Sequence, residues 1–533
     1  MAGRRLSGLQ HDALRLYRDC LRAIREKPEE SRPRFRALAR REFEKGIAAA
    51  KRTDVAAIEY LLRIGRRRLE QYKQPSVRDF HPKAFVAQAM AAPELSVGAQ
   101  AAPAKAPIVF KAFEWLMENP YDKDANPSGI INAGVAINST IGGMLLDKLN
   151  ALHDGFTAGD LEYGIPYGMC SLRGEVADVV NRHLHPATPV SAESIVVTNG
   201  CTSAIEMLAF ATCNPGEHIL IPAPCYLALQ GDMGTRAQAV ATPVTVPLDE
   251  VMFTQQIAHF ERALADLEKA GGKAKMLFLT TPQNPLGTIY PREVLRAFLR
   301  FASEHSLFVV FDEIYALSVF GQSEGAAPFE SVLSWADLDS YIDPASVVVL
   351  HGLSKDFGLN GFRVGWVISP WNPALVGTLK CYSPFGYRPT FTDRTVARLL
   401  ADHEFIDSML QISRDRLASH YSIATQFLDL HGIKYVPCVA GHFIWLQLPV
   451  HSHTRVLRAQ GRMAPDETAA TAWTAESEAV VWEHMVKETR VYMPPGQAFF
   501  AAEFGWFRLT FAIAKEELEA VLDRLAQLCA PCD

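Results

Sequence analysis

Two kinds of hydrophobic pattern divide the chain. Near its start, apolar residues recur every three or four positions, which places one apolar stripe along a helix that ends near Pro28. Two more helices are predicted over residues 33–50 and 54–72. Later in the chain the pattern changes to short continuous apolar runs, which are typical of strands buried inside a parallel sheet. These runs cover residues 194–198, 276–280, 308–311 and 346–350.

Residues 87–107 separate the two patterns. They are rich in alanine and proline and contain few large apolar side chains, so they cannot bury enough surface to fold alone. Charge divides the chain at the same place, because residues 1–75 hold 20 Lys and Arg against 10 Asp and Glu, whereas the remainder holds 33 against 49. We therefore predict a helical module over residues 1–80, a linker over 81–108 and a second module over 109–533.

The composition favours a multidomain globular protein without nucleic-acid or membrane partners. The 533 residues are 49% hydrophobic and 21% charged, and the N-terminal arginines lie among apolar residues without a base-reading pattern. No apolar run reaches the roughly 18 residues of a membrane helix. The start of the chain lacks the apolar segment of a secretory signal, so we expect nine reduced cysteines and a cytoplasmic location. Cys529 and Cys532 have no second cysteine pair, and no metal is predicted.

Three strand ends of the second module carry residues that suggest chemistry. Lys355 follows the run 346–350, and a lysine buried at a strand end loses its proton readily and can attack a carbonyl. The run 194–198 leads into a turn of small residues that opens a helix, where N–H groups favour a phosphate. Asp312 ends the run 308–311, so its carboxylate needs a cationic partner.

The motif Ser354-Lys355, followed by Gly361-Phe362-Arg363-Val364-Gly365, resembles the lysine signature of class I/II (fold type I) pyridoxal-phosphate aminotransferases. Further motifs of that family occur in the same order over some 200 residues. The resemblance implies an α/β fold with a doubly wound large domain over about residues 155–400. It also implies a smaller α+β domain built from residues 109–154 and 401–533, pyridoxal 5'-phosphate as cofactor, and a homodimer.

The resemblance assigns the cofactor contacts. It makes Lys355 the Schiff-base lysine and proton carrier, with Asp312 on the pyridine nitrogen, Tyr226 stacked on the ring, and Asn284 and Tyr315 on the phenolic oxygen. The phosphate is expected on Gly200, Cys201, Thr202, Ser354 and Arg363. Tyr163, or Tyr167 as its rival, is expected to reach the phosphate of a second subunit. Family members commonly carry Ser or Thr at the position of Gly352, so Arg363 is expected to supply more of the phosphate's charge.

The resemblance also places the substrate. Arg508, in Trp506-Phe507-Arg508, is expected to hold the substrate carboxylate, with Gly134 and Asn284 beside it. Residues 451–478 are predicted to form a polar surface insertion. Aminotransfer between an amino acid and a 2-oxo acid, in secondary metabolism or other biosynthesis, is the leading expectation.

The nearest branch is that of 1-aminocyclopropane-1-carboxylate (ACC) synthase-like proteins, whose members include synthases, C–S lyases and transaminases. Gly352-Leu353-Ser354-Lys355-Asp356-Phe357 and Gly505-Trp506-Phe507-Arg508 carry this likeness. True synthases have glutamate in an Ala-Glu-Asn segment, but this chain has Ala136-Ile137-Asn138, which disfavours synthase activity. A C–S lyase remains an alternative.

The N-terminal module resembles the LYR-motif family, especially its succinate dehydrogenase assembly factor branch. Leu16-Tyr17-Arg18, Phe43 and residues 58–69 carry the likeness. It implies a three-helix protein of the mitochondrial matrix that binds an acyl carrier protein and assists iron–sulfur delivery. The module is then the basis of an alternative function and location, whereas an ordinary amphipathic extension is the other interpretation. The chain is either a true fusion or two genes merged in one reading frame.

Overall fold

The computed structural model describes residues 8–49, 62–63, 65–67, 69–70, 73–74, 109–321, 328–464 and 472–530. Its Cα positions divide the chain into two compact units, residues 1–97 and 98–533. The linker predicted over residues 81–108 and Cys532 lie outside the described residues. Among the described residues, no helix is both long and apolar enough to cross a membrane.

The described residues of the first unit are mostly helical, as the periodic pattern predicts. Helix α1 covers Gly8–Arg25 and α2 covers Arg32–Ala49, and the described parts of residues 62–70 are helical too. Arg22 and Arg25 lie in the last turn of α1, where positive charge complements the helix dipole. The apolar stripe of α1 packs against the third helical segment, and the Tyr17 ring meets Phe43 edge to face at 4.8 Å between centroids. The buried members of this core are Leu16, Ala23, Leu62 and Leu69.

The second unit alternates strands with helices. Its strands in the described residues are β1 Ile131–Asn132, β2 Ile195–Asn199, β3 His218–Ala223, β4 Val240–Thr245, β5 Ala274–Thr280, β6 Phe308–Asp312, β7 Val347–Gly352, β8 Val364–Ile368, β9 Lys434–Val436, β10 Phe443–Gln447, β11 Val491–Tyr492 and β12 Trp506–Thr510. Its α-helices are α3 Val109–Glu118, α4 Gly142–Leu152, α5 Cys170–His183, α6 Gly200–Thr212, α7 Leu229–Gly234, α8 Ile257–Lys269, α9 Arg292–Glu304, α10 Pro373–Tyr382, α11 Thr390–Leu400, α12 His403–Leu430, α13 Val450–Ala459, α14 Ala475–Lys487 and α15 Lys515–Cys529.

Seven strands form the large sheet in the order β2-β8-β7-β6-β5-β3-β4. Alternate residues of each strand enter two different cores, so that Val309 and Phe311 face one layer of helices while Val310 faces the other. This double burial explains why the strands read as continuous apolar runs. The doubly wound fold predicted from the sequence is therefore confirmed.

Strand β8 runs opposite to its neighbours. It pairs antiparallel with both β2 and β7, whereas β3 to β7 pair in parallel. The segment between Gly352 and Val364 is too short for the helical crossover that a parallel return requires. The chain therefore turns back at once, and this turn carries both Lys355 and Arg363.

The smaller domain has an antiparallel sheet, β12-β10-β9, and a short parallel pair, β1-β11. Helix α12, whose first turn is capped by the side chain of Asp402, spans both domains. Its Ile406 and Leu410 enter the large core, whereas its Leu417 and Leu428 enter the small one. The division between the domains therefore lies within α12.

The prediction of a polar surface insertion over residues 451–478 is wrong. Helix α13 and the first turn of α14 lie in this segment, and Val456 enters the small core. Glu478 is fully buried and accepts hydrogen bonds from the backbone N–H groups of Gln497 and Gly505, at 2.8 and 2.6 Å. The segment reads as polar because its buried polar side chains bond to backbone groups that hydropathy does not show.

Candidate active site

Lys355 lies in the turn that follows β7, at the carboxyl end of the parallel strands. Its Nζ donates a hydrogen bond of 2.6 Å to the carbonyl of Ala136, which comes from the segment after β1. Burial first, and then the positive charge of Arg508, lower the pKa of Lys355 to about 8. A useful fraction of this lysine is therefore a neutral amine near pH 7 to 8, as a nucleophile requires.

Asp312 ends β6 and has no cationic partner among the described residues. The residue is 6% exposed, its Oδ1 has no hydrogen-bond partner, and burial raises the pKa of its carboxyl to about 7. A buried carboxylate without a partner is costly. The site therefore suits a ligand that brings a protonated nitrogen to this oxygen.

The first turn of α6 forms a seat for an anion. Gly200 has φ +76°, and a Cβ at this position would lie 2.3 Å from Nη2 of Arg363. The side chain of Asn199 does not cap the helix. Arg363 itself has φ +54° and is held by a bond of 2.9 Å from its Nη1 to the carbonyl of Asn360. A guanidinium and an uncapped helix N-terminus thus meet at one place.

Close packing explains the glycine at position 352. A Cβ there would lie 2.9 Å from Cα of Gly365 and 3.1 Å from Sγ of Cys201. The Cys201 thiol donates to the His351 carbonyl at 3.3 Å, and burial raises its pKa. Among the other predicted phosphate residues, Thr202 is exposed in the first turn of α6 and Ser354 is half-buried beside the lysine.

Arg508 is a buried cation without an acidic partner among the described residues. It lies on β12 opposite Trp445 and is 4% exposed. Its guanidinium lies over the rings of Phe443 and Phe499, at 4.9 and 5.0 Å from their centroids. Its Nε has no hydrogen-bond partner. An unpaired guanidinium in this position favours an incoming carboxylate.

The three residues predicted to hold the substrate are in direct contact. Arg508 Nη1 donates to Asn284 Oδ1 at 2.8 Å, and its Nη2 donates to the Gly134 carbonyl at 2.5 Å. A Cβ at Gly134 would lie 2.5 Å from the Tyr492 ring, so only glycine fits there. Because Asn284 uses its oxygen on Arg508, its amide nitrogen remains available to a different acceptor.

The aromatic residues predicted around the cofactor differ in exposure. Tyr315 is buried and Tyr226 is half-buried, and burial raises the pKa of both phenols. Tyr163 is 95% exposed. The ring of Tyr167 packs instead between Arg173 and Lys380, whose charged groups lie 5.0 and 4.9 Å from its centroid. Tyr163 is thus free to contact a second chain, whereas Tyr167 is engaged within its own.

Sequence reasoning missed a buried polar cluster next to the lysine. It consists of His351, Asp356, Ser318 and His442, which are joined by hydrogen bonds. The available signals were weak, namely an aspartate directly after Lys355 and a lone histidine before the apolar run of β10.

Comparisons with known proteins agree with this geometry. Residues 138–525 match the family described as aminotransferase class I and II. The chain belongs to this family. It is a pyridoxal-phosphate-dependent transferase, and the unpaired Oδ1 of Asp312 and the anion seat at Gly200 and Arg363 fit that cofactor. Residues 11–71 match the Complex 1 protein (LYR family), as the N-terminal motif indicates.

The curated relatives include ACC synthases, ACC synthase-like proteins and a probable aminotransferase of Arabidopsis thaliana, to which the chain is 30% identical over 427 residues. The chain is 33% identical over 423 residues to 1-aminocyclopropane-1-carboxylate synthase-like protein 1 of Mus musculus, covering 76% of this chain and 78% of that protein. It is 29% identical over 412 residues to 1-aminocyclopropane-1-carboxylate synthase 2 of Cucurbita pepo, covering 76% and 78%. Among solved structures, a Thermus thermophilus aspartate aminotransferase double mutant shares the fold, with a TM-score of 0.60 and 22% identity over 82% of this chain and all of that one.

Proposed function

We propose that this enzyme is an aminotransferase that moves an amino group between an amino acid and a 2-oxo acid. The observation that carries the proposal is Arg508, a buried guanidinium that has no acidic partner among the described residues and contacts Asn284 and Gly134. A carboxylate bound there pairs the charge. Burial and the positive charge of Arg508 disfavour the protonated form of Lys355, so this lysine contributes a neutral amine.

Each remaining residue has a role that its surroundings support. Pyridoxal phosphate, when bound, supplies an aldehyde and an electron-withdrawing pyridine ring. Asp312 stabilises a proton on the ring nitrogen, and Arg363 with the first turn of α6 holds the phosphate. Arg508 would hold the substrate carboxylate, and Lys355 would accept and return the α-proton.

The experiment is a single-turnover reaction with a panel of amino acids. We expect the α-amino group to appear on the cofactor, as pyridoxamine phosphate, with one equivalent of 2-oxo acid. Release of a thiol, ammonia and a 2-oxo acid, without pyridoxamine phosphate, would instead support a C–S lyase, whereas a cyclised amino acid that keeps its nitrogen would support an ACC synthase-like lyase. The ACC synthase names of two relatives favour the lyase, whereas the name of the probable aminotransferase of Arabidopsis thaliana favours aminotransfer. Against synthase activity, the half-buried Ile137 follows Ala136, whose carbonyl accepts the lysine bond, and it offers no carboxylate.

We propose a homodimer in which Tyr163 of each subunit reaches the phosphate of the other. Its near-complete exposure supports this role, because Leu161, two residues earlier, is exposed too, and grouped apolar side chains on a surface mark interaction sites. Residues 109–533 alone are expected to fold, dimerise and bind cofactor, since every candidate site residue lies beyond the predicted linker. An insoluble or cofactor-free truncation, beside a soluble full-length protein, would contradict this division.

We further propose that the LYR domain binds an acyl carrier protein, and that the chain then acts in mitochondria. The match over residues 11–71 supports the proposal, and the excess of positive charge in residues 1–75 would favour association with a negatively charged partner. Co-purification of the full chain with the acylated carrier tests it. Failure of that binding at low and moderate salt would leave the domain as a helical extension.

A further inference from the structure

The buried polar cluster beside Lys355 forms one chain of hydrogen bonds. His351 Nε2 lies 3.1 Å from Asp356 Oδ2, which also accepts from the backbone N–H of Leu317 at 2.9 Å. The Ser318 hydroxyl bonds to Asp356 Oδ1, and Ser318 Oγ lies 3.1 Å from His442 Nε2. His351, Asp356, Ser318 and His442 are all at most 1% exposed, so water does not compete for these bonds.

The bonding pattern fixes where the protons are. The N–H of Gly352 donates to His351 Nδ1 at 2.8 Å, so His351 Nε2 carries the hydrogen that goes to Asp356. Ser318 has one hydrogen and gives it to Asp356, so His442 Nε2–H must donate to Ser318 Oγ. Burial, followed by the charges of Lys355 and Arg508, lowers the pKa of His442 to about 3, which keeps it neutral.

This chain of hydrogen bonds joins the surroundings of Lys355, Tyr315 and Arg508, the residues expected to contact the cofactor or the substrate. Asp356 directly follows Lys355. The His442 ring meets the Tyr315 ring edge to face at 5.4 Å, and Phe443, the next residue, does the same at 5.2 Å while its face supports Arg508. Asp356 lies after β7 in the large sheet, whereas His442 lies directly before β10, which pairs with the arginine strand β12.

We propose that His442 is a positioning residue which, through Ser318 and Asp356, holds the lysine turn, Tyr315 and the arginine-bearing sheet at one fixed spacing. The side chain is fully buried, so it touches neither cofactor nor substrate and acts only through these neighbours. The inference rests on the proposed function for its kinetic readout. Its second readout, the labelling of Lys355, needs only the cofactor.

The main variant is His442→Phe, which keeps an aromatic ring against Tyr315 and removes the N–H that Ser318 accepts. We expect the rate of the amino-acid half-reaction to fall about 10-fold, because the variant loses one hydrogen bond that holds the neighbouring groups in position. The pH dependence of borohydride labelling at Lys355 should also shift, with cofactor affinity unchanged. His442→Gln can place an N–H at a similar reach, and we expect it to restore most of the rate.

Two further variants separate positioning from packing. His420→Phe is the matched control, because His420 is also buried and its Nδ1 makes one bond of 3.1 Å, to the Phe511 carbonyl. We expect it to change the rate less than about twofold at equal thermal stability. Combining His442→Phe with Ser318→Ala should lower the rate no further than Ser318→Ala alone, because the hydroxyl that His442 bonds to is then already missing.

The outcomes are distinct. Additive effects of the His442 and Ser318 changes would overturn the positioning role of His442. A His442→Phe enzyme that matches His420→Phe in half-reaction rate and in labelling would overturn it too. An inactive wild type that still takes cofactor on Lys355 would instead count against the aminotransferase proposal. In that case the pH dependence of Lys355 labelling in His442→Phe alone decides whether His442 has the positioning role.

Discussion

Two sets of buried charges in the second unit differ in one respect. Arg388 and Asp393 are 1% and 3% exposed at their side chains and pair with each other through two bonds, of 2.9 and 3.2 Å. Asp312 and Arg508 are also buried, at 6% and 4% exposed, but have no partner of opposite charge among the described residues. Burial of a charge without a partner costs stability. We infer that the paired charges stabilise the fold, whereas the unpaired charges bind ligands of opposite charge.

The largest expected effect concerns Lys355, whose pKa is lowered by burial and by Arg508 and raised by Asp312. Lys355→Ala should abolish turnover and borohydride attachment of the cofactor, because the nucleophile and proton carrier is removed while the fold is not. Mass spectrometry of the reduced protein measures the attachment. Labelling of a different lysine in the wild type would show that the candidate site is wrongly centred.

The pair of Arg388 and Asp393 should contribute to the stability of the fold. Asp393→Asn leaves the buried Arg388 unpaired, and we expect a loss of about 3–5 kcal/mol in the free energy of unfolding, measured by urea denaturation. Glu330→Gln is the control, since its pair with Arg292 at 2.9 Å is much more exposed and should contribute less than about 1 kcal/mol. A loss of similar size in both variants would contradict the distinction.

Asp312 should make the free energy of unfolding of the apoprotein fall as the pH rises, whereas a carboxylate in an ordinary ion pair makes it rise. Because burial raises its folded-state pKa to about 7, the apoprotein binds a proton that the unfolded chain has released above about pH 4. This contribution to stability is therefore present at low pH and is lost as the pH rises from about 4 to 7. Its size is on the order of 2–4 kcal/mol.

The check compares urea unfolding of wild-type and Asp312→Asn apoprotein between pH 4 and 8. The variant should lack this part of the decline, and its cofactor affinity should fall because the protonated pyridine nitrogen loses its partner. Parallel stability profiles for the two proteins would mean that Asp312 is ionised and paired in the folded state.

The sequence predicted the strand ends well and the side-chain contacts less well. Continuous apolar runs place Lys355 and Asp312 at the carboxyl edge of the sheet because burial on both faces leaves few other arrangements. The direct contact of Arg508 with Asn284 and Gly134 joins segments more than 200 residues apart. No local periodicity encodes it, and the family resemblance supplied that expectation.

Other features could not be read from local pattern. The antiparallel β8 follows from the shortness of the lysine turn, and the order of the sheet depends on which strands pair. The burial of Glu478 and of the His442 chain depends on backbone donors and on hydroxyl groups that arrive from distant segments. A hydropathy profile treats all of these as surface residues.

The central claim is that Arg508 is unpaired because the substrate's carboxylate is its partner. Arg508→Lys tests this most directly, since it keeps the positive charge but loses the planar fork. We expect unchanged cofactor binding and an amino-acid half-reaction slowed by roughly 30- to 1,000-fold, or about 2–4 kcal/mol. Simple amines without a carboxylate should lose little rate. Equal losses for amines and amino acids, or loss of the cofactor, would show that Arg508 supports the fold and that the carboxylate binds elsewhere.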